Sequence, residues 1–301
     1  MTSLNALVRR NIKLFFKDKG MFFTSLITPL ILLVLYATFL ADVYKDTFIN
    51  AIPEGFMVSE KLLNGTVGAQ LLSSLLAVCC VTVAVCSNML MVQDKANGTI
   101  RDLDITPVNG YTLALSYYIS SVISTLIVCY FTVFVSFVYL AFVGWYLSFV
   151  DVLLLLIDVL LLVLFGTAFS SVINFFMSSQ GQISAVGTIV SSGYGFICGA
   201  YMPISQYAKG LRVVISFLPG TYGTALLRNH AMRGVFSEME KEGLPLELID
   251  GFKNSVDYNL YFFEKKVTVL AMYAAVILAI AILVGIYILM NYLREKSKKS
   301  D

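Results

Sequence analysis

The chain has 301 residues, is 58% hydrophobic and 13% charged, and carries a formal net charge of +2. A soluble domain holds about a quarter charged residues, so this is the composition of an integral membrane protein. The near-zero charge speaks against a nucleic-acid partner. Five cysteines, all in or beside apolar runs and without a CxxC pair, speak against a disulfide framework or a zinc site.

The first element, over residues 1–20, reads LNALVRRNIKLFFKDKG within it. Leu4, Leu7, Val8, Ile12, Phe15 and Phe16 recur at helical spacing, with Arg9, Arg10, Lys13 and Lys17 between them. That pattern predicts a basic amphipathic helix lying in the plane of the inner membrane face. Six apolar runs follow, at about 21–41, 67–92, 112–144, 152–176, 183–200 and 266–291, and each approaches the roughly 20 residues that a helix needs to cross the bilayer core. The first run is too long for a signal-peptide core and is followed by no small-residue cleavage site, so it is expected to remain as a span. Pro29 within it removes one amide and frees the carbonyl of Ser25, which predicts a kink. Thr24, Ser25 and Thr28 are at hand to satisfy freed groups. The third run is long enough to tilt.

Basic residues near the span ends set the orientation. With the N-terminus inside, the inner segments hold Arg9, Arg10, Lys13, Lys17 and Lys19, then Lys95 and Arg101, then Arg294, Lys296, Lys298 and Lys299. The first outer loop holds only Lys45 and Lys61, and the turn WYLSFVD holds none. Both termini are therefore placed in the cytosol.

Between the second and third spans, residues 93–111 form a charged inner loop, QDKANGTIRDLDITPVNG with its flank. Gly98 breaks the preceding helix. Thr99 is positioned to cap a new one, with Asp102 reaching back as a weak capping box. Thr106-Pro107 ends it, because the residue before proline avoids helical angles. About two turns result, displaying Arg101, Asp102 and Asp104 while Ile100, Leu103 and Ile105 are available to pack. Asp94 precedes the break. A flexible connector would be rich in Gly and Ser and lack caps, so this loop reads as a rigid lever.

The outer region, 201–265, opens apolar but is broken by Pro203, Gly210, Pro219 and Gly220. It is expected to form one or two short re-entrant or capping helices. FSEMEKEGLPLELIDGFKNSVDYN after them reads as a solvated loop.

No Walker A motif or catalytic arrangement occurs, and SSQGQ at 178–182, which faintly resembles an ATPase signature, has no nucleotide domain around it. Asp158 is the one carboxylate well inside a span. An intramembrane acid is a functional candidate, weighed against a packing role through a Ser, Thr or Asn on a neighbouring helix. Asp151, two turns earlier, shares its face. Gln70, Asn88 and Asn174 suit interhelical hydrogen bonds. The single histidine, His230, speaks against a histidine proton relay. Gly195 and Gly199 form a GxxxG pair, with Gly187 two turns before, that allows close helix packing within the chain or across a dimer.

Taken together, the amphipathic helix before span one, FTSLITPLILLVLY with its proline, the loop QDKANGTIRDLDITPV, and GAYMP…SFLPGTYGTALLRN between spans five and six resemble the type-2 ABC transporter permeases along essentially the whole chain. Where relatives open the inner loop with a Glu-rich turn, this chain has Gln93-Asp94-Lys95. The resemblance implies an all-α fold of six membrane helices, a second permease alongside, identical or paralogous, and separate cytosolic ATPase subunits that carry the ATP and magnesium. It implies an exporter subunit in the cell membrane that is not itself an enzyme. The alternative is an ion- or proton-coupled carrier acting without an ATPase, which calls for several buried ionisable groups.

Overall fold

The computed structural model describes residues 3–35, 38–39, 41–51, 58–106, 108–263 and 265–300. It is almost wholly helical: α1 Ser3–Lys17, α2 Lys19–Leu35, α3 Ala41–Ala51, α4 Glu60–Ala96, α5 Thr99–Asp104, α6 Gly110–Val143, α7 Phe149–Phe175, α8 Gln180–Ile197, α9 Lys209–Ser216, α10 Pro219–Lys241, α11 Leu246–Ser255 and α12 Val269–Ser300. A two-stranded hairpin, β1 Tyr261–Phe262 and β2 Lys265–Lys266, precedes α12.

By length and composition α4, α6, α7 and α12 can each cross a membrane, and the count rises to six if the bent pairs α1–α2 and α9–α10 are single crossings. The protein is thus an all-α multi-pass membrane protein. The apolar window of α4 is 94% buried and that of α12 only 11%, so α4 is the axis of the bundle and α12 turns most of its surface outward. Apolar all round, α4 has the pattern of a core helix. Gly166 of α7 lies against the α4 backbone at Val81, where a Cβ would meet atoms at 3.0 Å.

The contacts fix helix directions. On α4 and α6, Gly68 meets Leu140 while Asp94 meets Tyr117, so the pair is antiparallel. On α8, Ile183 packs near Val92 and Gly187 near Met89 of α4, again antiparallel. On α10, Arg228 reaches Ser74 and Ser59 reaches Glu242, also antiparallel to α4. Hence α8 and α10 run the same way, offset by the α9 elbow, which turns through 87°.

Several expectations change here. The outer stretch expected as a solvated loop is partly the second half of α10, whose Val235, Phe236 and Met239 are buried. Within the chain, the Gly195–Gly199 pair lies at the end of α8 rather than between two helices. α8 ends at Ile197, Gly199 takes φ +74, and Ala200 N and Gly199 N donate to the carbonyls of Gly195 and Phe196, a Schellman C-cap. Gly195 then makes room for the Tyr201 ring, so both glycines serve the chain's own fold-back. Pro29 lies inside α2, and Ser25 Oγ donates to the Phe22 carbonyl at 2.7 Å. A second sharp bend, of 72°, separates α1 from α2.

Candidate functional site

The sequence draws attention to the inner loop, and the structure anchors it through the last turn of α4. Asp94 accepts from Arg10 of α1 at 2.8 and 3.2 Å and from the Tyr117 hydroxyl of α6 at 2.5 Å. One residue on, Lys95 Nζ donates to the carbonyls of Asn174, Phe175 and Met177 at 2.9, 2.8 and 3.2 Å. Asn174 and Phe175 are the last residues of α7 and Met177 lies just past its C-cap, so a cation from α4 caps the carbonyl end of α7. Two adjacent residues thus tie α4 to three other helices. Arg10 is held protonated above the ordinary guanidinium range, chiefly by its hydrogen bond to Asp94.

Gly98 then takes φ +80, with open space around it, a left-handed turn that costs a residue bearing a Cβ about 1–2 kcal/mol. It is the N-cap of α5 and no side chain caps the helix. The expected Thr99–Asp102 capping box is therefore absent: Thr99 is already the first helical residue, and the break is made by glycine geometry alone. α5 has six residues, rather less than the two turns expected. Arg101 and Asp102 are exposed and Leu103 is half-buried. Ile100 is buried, but Ile105, expected to pack, is 86% exposed. Thr106 Oγ1 donates to the Leu103 carbonyl at 2.6 Å, so a side chain helps to close the helix. The Asp104 side chain and Pro107 lie outside the described residues. Behind α5 a cavity of about 300 Å³ is lined by Lys95, Ile100, Asn109, Tyr287, Arg294 and Glu295 among others.

A second polar site, hidden in the sequence, runs along α10. Asp158 is buried, as expected of an intramembrane acid, but its partners are neither Ser, Thr nor Asn. His230 Nδ1 lies 2.6 Å from one carboxylate oxygen, and the Tyr273 hydroxyl of α12 donates to the other at 2.6 Å. The lone histidine is thus half of a buried acid–imidazole pair. Three residues on, Arg233 reaches Asp151 at 2.7 Å, an ion pair without hydrogen-bond alignment. Asp151 also closes a capping box with Ser148 at the start of α7.

On the other side of α10, Arg228 pairs with Asp257 at 3.4 Å and donates to the Gly199 carbonyl. Asp257 accepts from the backbone amides of Ile204 and Ser205. Burial pushes its carboxyl above the usual range, opposed by Arg228 and those amides. The stretch RNHAMR at 228–233 is the signal that could have disclosed this seam.

Asn88 donates to Ser170 and Ser171 and accepts from Ser121, and Asn174 donates to the Asn88 carbonyl, so both make the expected interhelical bonds. Gln70 is fully buried beside Tyr44 and makes no hydrogen bond of good geometry. SSQGQ is a helix start: Gln182 Oε1 accepts from the amides of Ser178 and Ser179, and Ser179 Oγ accepts from Gln182 N.

Comparison with curated individual proteins gives no match. Residues 2–231 match the family described as ABC-2 type transporter, a span that takes in α1, the inner loop and the start of the α10 seam. The chain belongs to the ABC-2 type transporter family and is a membrane permease subunit rather than a catalytic domain.

Proposed function

We propose that this permease is the membrane half of an ATP-driven exporter in the cell membrane. Both termini lie in the cytosol, six crossings form the subunit, and a second permease sits beside it. α5 is the surface gripped by a separate cytosolic ATPase, on which ATP and magnesium act. The observation that supports the docking role most is the junction at Asp94 and Lys95: a push on α5 meets, just beyond the Gly98 turn, two residues bonded to α1, α6 and α7. Ile105, Arg101 and Asp102 give the partner an apolar contact and charges of both signs, and such charges set register more than affinity.

The test is co-purification of the ATPase with an Arg101→Glu/Ile105→Asp permease, alongside transport-linked ATP hydrolysis. Both should fall while the permease remains monodisperse; undiminished association would overturn the docking assignment. Labelling of Arg101→Cys, but not Glu240→Cys, by an impermeant thiol reagent on intact cells lacking the native cysteines would overturn the orientation.

A second reading, a proton-coupled carrier working alone, draws on the buried Asp158–His230–Tyr273 group. Transport that survives inactivation of the ATPase would select it.

A further inference from the structure

The hairpin β1–β2, whose second strand ends three residues before α12 begins, pairs Phe262 with Lys265. Two-residue hairpin turns with positive φ favour Asn and Gly. This chain places Phe263 there instead, at φ +53 and 64% exposed. A bulky residue held in the left-handed region is uncommon enough to point toward function.

The hairpin is not isolated. The Phe217 ring, at the end of α9, lies 5.2 Å from Phe262 and 6.3 Å from Phe263, edge to face. Leu211 and Val214 of α9, Tyr261, and Leu270 in the first turn of α12 are also exposed. Around this apolar knob stand Lys209, Arg212, Lys265 and Lys266, all exposed and in no ion pair among the described residues. Arg212 donates to the carbonyls of Ser205 and Tyr207, which pins α9 to the preceding turn. Glu264 lies outside the described residues.

We propose that α9 and the 261–266 hairpin form a docking surface for anionic phospholipid in the membrane-water interface, with Phe217 and Phe263 inserted among the upper acyl chains and Lys209, Lys265 and Lys266 on headgroup phosphates. Position supports the bilayer as occupant, because α12 crosses the membrane from Val269, so the hairpin lies at the mouth of a span. Chemistry supports the anionic headgroup: aromatic rings suit the interface, and basic side chains extend their charged ends toward phosphate while their stems stay apolar. α9 is the amphipathic element that lies on the surface. The inference rests on α12 spanning the membrane and is independent of the ATPase docking at the other end of the bundle.

The experiment uses the full chain in lipid nanodiscs. Trp145→Phe removes the sole tryptophan, and Phe263→Trp places one at the hairpin tip. Its fluorescence is quenched by small fractions of phosphatidylglycerol or phosphatidylcholine brominated near the top of the acyl chains. Attraction at a surface lysine enriches an anionic lipid about five-fold over a neutral one, so brominated phosphatidylglycerol should quench the more strongly. Lys209→Gln/Lys265→Gln/Lys266→Gln should bring the two lipids to equality, and the three Arg replacements should restore the difference. Equal quenching by both lipids in the parent overturns the headgroup assignment. No quenching by either shows that the hairpin tip does not reach the acyl chains and overturns the proposal outright.

Discussion

The two polar regions of this bundle are built oppositely. At the α5 end, Arg10 keeps 29% of its side chain exposed while bonding the buried Asp94, and α5 leaves Arg101, Asp102 and Ile105 open to solvent. Along α10, Arg228 and Asp257 are 1% and 6% exposed and Asp158 is fully buried between two partners, while Arg233, on Asp151, stays 46% exposed at the margin. The α5 end presents exposed charged and apolar side chains; the core of the α10 seam turns its charges on itself. A buried ion pair adds little net stability when complete and is expensive to break, whereas substitutions at the exposed side chains of α5 fall within about 0.5 kcal/mol. The contrast therefore separates a junction that can be loosened and remade from a clasp that holds the fold.

The most disruptive change to try is Arg228→Leu. It leaves the buried Asp257 without its cation and should lower stability by about 3–5 kcal/mol, read as a shift in the chemical unfolding midpoint of the detergent-solubilised permease. A loss no larger than that from Asp94→Asn would erase the contrast. Next comes Asp158→Leu, which strands His230 and Tyr273 and should cost about 1–3 kcal/mol. Asp158→Asn keeps an acceptor for Tyr273 and should lose less than half as much, with transport-linked hydrolysis within a few-fold of the parent. Abolished transport in a well-folded Asn variant would instead make this seam part of the coupling chemistry. Gly98→Ala meets no steric obstacle, so its cost is backbone strain alone, about 1 kcal/mol, and the readout is weaker ATPase association rather than lost protein. Smallest in stability is Ile105→Ser, within about 0.5 kcal/mol of the parent as befits an exposed site. Its effect should appear only in co-purification of the ATPase, and a destabilised Ile105→Ser would show that the residue packs within the chain after all.

Hydropathy alone made α4, α6, α7 and α12 legible, because a helix in lipid must satisfy its own backbone and cover it with apolar side chains. The break at Gly98 was legible too, yet its cap was misread: a local rule cannot tell a Thr that caps from a Thr that follows a left-handed glycine. The same ambiguity affected Gly195 and Gly199, whose spacing fits helix packing and a helix terminus equally, although Pro203 shortly afterwards favours the terminus. The α10 seam was illegible for a deeper reason. Arg228, His230 and Arg233 carry no sign of burial in their own stretch, because their acid partners Asp257, Asp158 and Asp151 arrive from other elements. Burial of a charge is decided by what the fold brings to it, and no window along the chain contains that.

The placement of the chain's sole imidazole on the Asp158 carboxylate has a practical consequence. Isotope-labelled histidine would give one ring signal from the whole protein, with no assignment problem. Its nitrogen shifts report which tautomer faces the acid and whether a second proton is bound, and can be followed as pH or lipid is varied. The molecule thus carries its own spectroscopic gauge at the contact of α7, α10 and α12, readable without adding a probe.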